Sequence, residues 1–124
     1  MKLQLPERRR FIRIEVPLKL RVKSETRTVE VVTKNISPIG MRFEVPHELN
    51  KAEKLELTVF VPSPNSTVGV RLTGRVVWQT RTSLEDNAPY DVGVEIIEIE
   101  DANKNFFLKY LCDLLYESSF KARS

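Results

Sequence analysis

Alternation with a period of two sets the first limit on how this chain can fold. Val16, Leu18, Leu20 and Val22 fall on one side of an extended segment that starts at Arg13, and Lys19, Arg21 and Lys23 fall on the other. That is the pattern of a half-buried strand. Further runs over residues 28–33, 41–45, 55–61, 68–78 and 90–97 are rich in valine, isoleucine or aromatic side chains and read as strands. The breaks between them are turn formers, among them Lys23-Ser24-Glu25-Thr26, Ser37-Pro38-Ile39-Gly40, Pro62-Ser63-Pro64-Asn65-Ser66 and Glu85-Asp86-Asn87-Ala88-Pro89. Six strands joined by short polar loops favour an antiparallel barrel or sandwich. Residues 46–54 have room for a short helical turn.

The period changes at the end of the chain. Asp101 suits an N-cap, and Phe107, Leu111, Leu114 and Leu115 then fall at helical spacing with Phe106 and Tyr110 beside them. One amphipathic helix is expected over residues 102–117. Its apolar face needs cover, which an open barrel end would supply, and a second copy of the chain is the other candidate.

With 124 residues and 41% hydrophobic content, the chain is sized for one domain with one core. The N-terminus carries no apolar run behind its charges, and no stretch approaches the roughly 18 apolar residues of a membrane span. A soluble, intracellular protein is expected. Cys112 is the only cysteine and His47 the only histidine, so zinc sites and Cys–His catalysis lack their groups. Cys112 reads as a buried structural thiol and His47 as a solvated loop residue. The carboxylate pairs Glu95 with Glu98 and Glu85 with Asp86 read as solvated faces, and no phosphate-binding glycine loop occurs. Nothing argues for an enzyme or for a catalytic residue.

The charge is unevenly spread. Residues 1–23 hold eight basic side chains against two acidic ones, a local balance of +6 within a total of +3. Basic residues gathered at one end suit a compact phosphate ligand better than a long polyanion. The densest part is Glu7-Arg8-Arg9-Arg10-Phe11-Ile12-Arg13, where arginine forks match phosphate oxygens and the O6/N7 edge of guanine. A second polar cluster, Asn35-Ile36-Ser37-Pro38-Ile39-Gly40, interrupts the strands. In an extended chain Asn35 and Ser37 project to one side, and Gly40 permits backbone geometry that other residues resist. Taken singly, the first cluster also fits a solvated tail and the second a simple turn.

In this order the two clusters resemble the paired signature of the PilZ family: Arg9-x-x-x-Arg13 followed by Asn35-x-Ser37-x-x-Gly40. The resemblance continues through Gly74-Arg75-Val76-Val77-Trp78, Tyr90-Asp91-Val92-Gly93-Val94-Glu95 and the closing helix, and departs at Glu95-Ile96, where the family often has an aromatic residue. It implies a six-stranded antiparallel β-barrel with a C-terminal helix, a cytoplasmic and non-enzymatic receptor for cyclic di-GMP, and no other cofactor. By position, Arg9 and Arg13 would engage guanine edges and phosphates, Asn35 and Ser37 would hydrogen-bond the ligand, and Gly40 would hold the turn. An arginine at position 8 goes, in the family, with a stacked pair of ligands. Residues 1–13 would then be a flexible arm that orders on the ligand, residues 14–117 the barrel and helix, and residues 118–124 a tail. The output would be contact with an unidentified downstream protein. A nucleotide-free adaptor of the same fold is the main alternative. A single-stranded nucleic-acid binder using Trp78 and Phe60 is a weaker one.

Overall fold

A computed structural model describes residues 13–123, with side chains as far as residue 117. Six strands, β1 (Lys19–Lys23), β2 (Thr28–Ser37), β3 (Gly40–Val45), β4 (Lys54–Pro62), β5 (Thr67–Arg81) and β6 (Tyr90–Ile99), precede one helix, α1 (Asp101–Arg123). The strands close into a barrel in the order β1-β2-β3-β6-β5-β4, with every neighbouring pair antiparallel. Closure leaves no sheet edge unpaired among the described strands. Among the described residues no helix is long and apolar enough to cross a membrane.

Alternation builds the interior. Leu20, Val22, Met41, Phe43, Val45, Leu55, Leu57, Val59, Val61, Val70 and Val92 are all buried, one inward side chain at every second position. Each contributes roughly 1.5–3 kcal/mol relative to exposure. The helix adds Phe107 and Leu111 to the same core, so the expected stripe closes onto the barrel. Leu114 and Leu115, one turn later, are only half-buried. The helix runs to Arg123 rather than ending at 117 and begins at Asp101, with Glu100 before it. The Glu100 carboxylate accepts from the Arg71 backbone N–H at 2.8 Å and the Asn103 side chain at 3.0 Å, which ties the helix start to β5. Cys112 is exposed, not buried: it follows Leu111 by a single position, and about 100° of helical rotation turns it outward.

The first strand starts at Lys19 instead of Arg13. Pro17 has no N–H to offer a ladder, and the segment before it meets β2 through an isolated bridge between Ile14 and Ile36. The Thr33 hydroxyl fills the gap, donating to the Val16 carbonyl at 2.6 Å and accepting from the Leu18 N–H at 2.9 Å. Residues 46–53 form no helical turn. Ala52 adopts φ 59°, and the Glu53 carboxylate gathers the backbone N–H groups of Asn50 and Glu25 at 2.9 and 2.8 Å. Gln79 brackets Leu49, accepting from its N–H and donating to its carbonyl. These side-chain bonds replace the ones a helical turn would make internally.

His47, in that loop, is not solvated. It is half-buried, and neither ring nitrogen has a hydrogen-bond partner among the described residues. Burial, helped by the Arg27 charge and opposed by Glu53, holds the imidazole below its ordinary value of 6.5. The unfolded chain therefore binds a proton below about pH 6.5 that the folded chain resists, so stability should fall as the pH drops through that region. Thermal melts at about pH 7.5 and about pH 5.5 test this, with His47→Leu expected to remove most of the difference. An equal pH dependence in both proteins would assign it to other groups.

Candidate functional site

A bulge decides which side chains of β2 face outward. The β2–β3 register shifts between Thr33 and Asn35, so one extra residue, Lys34, enters the strand and the alternation changes phase. Thr33 points inward before the shift and Ile36 is buried after it, which turns Asn35 to the outer face, while Ser37 at the turn is itself buried. Both residues belong to β2, not to a loop between strands; the turn proper is Pro38-Ile39.

Arg13 reaches this face from the chain before β1. Its Nη1 donates to Asn35 Oδ1 at 3.3 Å, and its Nη2 lies 3.6 Å from where a β-carbon on Gly40 would stand. Arg13, Asn35 and Gly40 therefore come together as the motif spacing leads one to expect. Gly40 does so for a different reason: no described glycine has positive φ, but a β-carbon there would lie 2.8 Å from the Val94 carbonyl oxygen. The position requires close approach of β3 to β6, not left-handed backbone. Ser37 is fully buried and engages the turn, accepting from the N–H groups of Ile39 and Gly40 at 3.2 Å each. Its hydroxyl donates to the Gly40 carbonyl at 3.4 Å. Arg8 and Arg9 lie outside the described residues.

Next to this cluster runs a row of cross-strand partners: Asn35 opposite Arg42, Arg42 opposite Gly93, and Gly93 opposite Trp78. Directly paired residues share a face, so the row extends the site across four strands. Gly93 leaves room for the indole. A β-carbon there would fall 2.2 Å from Trp78 Nε1, so the ring lies flat over the glycine while 40% of the residue stays exposed. The Arg42 guanidinium sits over that ring, 5.8 Å from its centroid, a favourable cation–aromatic geometry.

Asp91 fixes Arg42 in place. Arg42 Nε donates to both carboxylate oxygens at 3.0 and 3.1 Å, and Nη2 donates to Oδ2 at 2.5 Å. The Asp91 side chain is 14% exposed, and Lys34 stands 3.6 Å from it while pairing with Glu44 at 2.6 Å. The hydrogen bond from Arg42 holds the Asp91 carboxyl below the usual carboxylate range, against the opposing effect of burial and with help from Lys34. Arg42 and Asp91 were not singled out from the sequence as site residues. Alternation of Met41, Phe43 and Val45 inward places Arg42 outward, but its pairing with β6 depends on a register that no local pattern reveals.

The surface thus offers a cation whose partner among the described residues is a neutral amide (Arg13 with Asn35), a flat aromatic ring and a guanidinium above that ring. Such a set suits a ligand that combines phosphate with planar bases. A PilZ domain family model matches residues 7–112. The barrel superposes on the Bacillus subtilis inhibitor of motility, MotI/DgrA, with TM-score 0.74 and 18% identity over 90% of this chain and 53% of that one. Apo MrkH of K. pneumonia gives 0.67 and 16% over 97% of this chain and 55% of that one. The PilZ domain of YcgR from Escherichia coli, solved with c-di-GMP, gives 0.64 and 15% over 95% and 99%. The chain spans about half the length of MotI/DgrA and MrkH. None of the curated proteins matches significantly in sequence. With the family match covering the whole barrel and the same barrel present in these structures, the chain belongs to the PilZ domain family.

Proposed function

We propose that this chain is a receptor for cyclic di-GMP that works without catalysis and without a further cofactor. The observation that carries the reading is the hydrogen bond from Arg13 to Asn35 beside Gly40, because it unites both halves of the paired motif on one barrel face. Support also comes from the YcgR PilZ domain, whose structure contains c-di-GMP. In this reading Arg13 and Arg9 grip phosphates and guanine edges, Asn35 hydrogen-bonds the ligand, and Trp78 offers ring surface beside them. Ser37 and Gly40 keep the turn in shape. Ligand binding brings the arginine segment 8–13 against the barrel and changes the surface presented to a downstream protein.

Calorimetric titration with cyclic di-GMP, with GMP and a short oligonucleotide as controls, tests the reading. Binding to the dinucleotide alone is expected; its absence would leave a nucleotide-free adaptor. Arg8 bears on stoichiometry. Two stacked ligands crowd four phosphates, and an added cation offsets their repulsion. Two ligands per chain are expected for the unmodified protein and one for Arg8→Leu, measured at known active concentration. A single ligand in the unmodified protein would sink the stacked pair.

A further inference from the structure

Arg13 and Arg42 stand on the same face but differ in electrostatic character, and the difference assigns them different parts of a ligand. Arg13 is hydrogen-bonded to a neutral amide and has no carboxylate partner among the described residues, which leaves its charge for a phosphate. Arg42 is neutralised by Asp91, and the neighbouring Lys34 is shared between Glu44 and Asp91. Two cations and two carboxylates sum to zero, so this part of the face exerts little net pull on an anion. Its directed donors remain. Asp91 occupies the Nε–Nη2 side of the guanidinium, and the Nη1 group has no partner among the described residues. The Trp78 ring lies below, its centroid 5.8 Å from the guanidinium carbon.

A rigid, charge-compensated pair of N–H donors lying above an aromatic ring matches a flat, uncharged base edge with two acceptors. The O6/N7 edge of guanine is such an edge, whereas adenine presents an amino donor at the equivalent position and would oppose Arg42. We propose that Arg42 is the base-selecting residue of the site, reading the O6/N7 edge of one guanine, and that Asp91 is a positioning residue that aims it. The proposal rests on the cyclic di-GMP reading above and adds to it which side chain sets guanine preference.

The test pairs a change in the ligand with a change in the protein. Affinities of the unmodified chain, Arg42→Lys and Asp91→Asn are measured for cyclic di-GMP and for its 7-deazaguanine analogue, which lacks the N7 acceptor. Loss of N7 should weaken binding to the unmodified chain by about tenfold more than it weakens binding to Arg42→Lys, which keeps the charge but lacks the fork. Asp91→Asn, in which the guanidinium is no longer held, should shrink the N7 effect in the same direction while leaving Arg42 present. A purely structural role for Asp91 would lower both affinities equally. If cyclic di-GMP binds the unmodified chain and the N7 effect is the same in all three proteins, the base-selecting role is overturned and the receptor reading stands. If cyclic di-GMP does not bind the unmodified chain, both are overturned.

Discussion

Replacing Arg13 with alanine is expected to lower the affinity for cyclic di-GMP by about ten- to a hundredfold and to leave the melting temperature almost unchanged. The first half follows from the charge. Arg13 has no carboxylate partner among the described residues, so its guanidinium can donate to phosphate, and charged hydrogen bonds of this kind are worth roughly 1.5–3 kcal/mol each. The second half follows from exposure. The side chain lies on the surface, ahead of β1 and outside every ladder, and substitutions at such positions usually stay within about 0.5 kcal/mol. Asn35→Ala should cost less, nearer roughly 1 kcal/mol, because it removes neutral groups only. Calorimetry on variants shown by thermal melts to be folded decides the matter. Undiminished affinity in Arg13→Ala would remove the arginine segment from the site.

Much of the barrel was legible because period two is a local property. Val16 to Val22 and Met41 to Val45 announce which side faces inward without knowledge of any partner strand. What could not be read is non-local. Asn35 and Ser37 look like loop residues, since their short polar side chains compete with backbone hydrogen bonds, yet pairing with β3 keeps them in β2. The bulge at Lys34 has no sequence signal, although it decides that Asn35 meets Arg13 instead of the core. Gly40 stands out in the sequence as a turn glycine, but its backbone is not left-handed, and its closeness to Val94 depends on which strand lies beside β3. Arg42, Gly93 and Trp78 are separated by 51 and 15 positions in the chain, and only the barrel order β3-β6-β5 makes them a row. Cys112 shows the limit at finer scale: its neighbours are apolar, but one residue of helical rotation outweighs local composition.

Gly40 is where the physical reason matters most for the outcome of a substitution. A valine there should destabilise the fold by about 1–3 kcal/mol or more, the range for forcing added volume into a packed site. The added β-carbon would meet the Val94 carbonyl oxygen at 2.8 Å and its carbonyl carbon at 3.9 Å. Those are backbone atoms of β6, and they cannot swing aside as a side-chain tip can. Relief requires β3 and β6 to part where Gly40 opposes Glu95, which also strains the 2.8 Å bond from the Ile96 N–H to the Ile39 carbonyl. Gly93 supplies the contrast. A β-carbon at that position meets the Trp78 indole, a side chain free to rotate outward, so Gly93→Ala should keep more of its stability while displacing the ring from the site. Thermal melts therefore separate two kinds of glycine: a drop on the order of 10 °C is expected for Gly40→Val, from about 1–3 kcal/mol at a few degrees each. Were Gly40→Val to melt with the unmodified protein, the close approach of β3 to β6 at this position would be wrong. Its ligand affinity would then have to be explained by Arg13 alone.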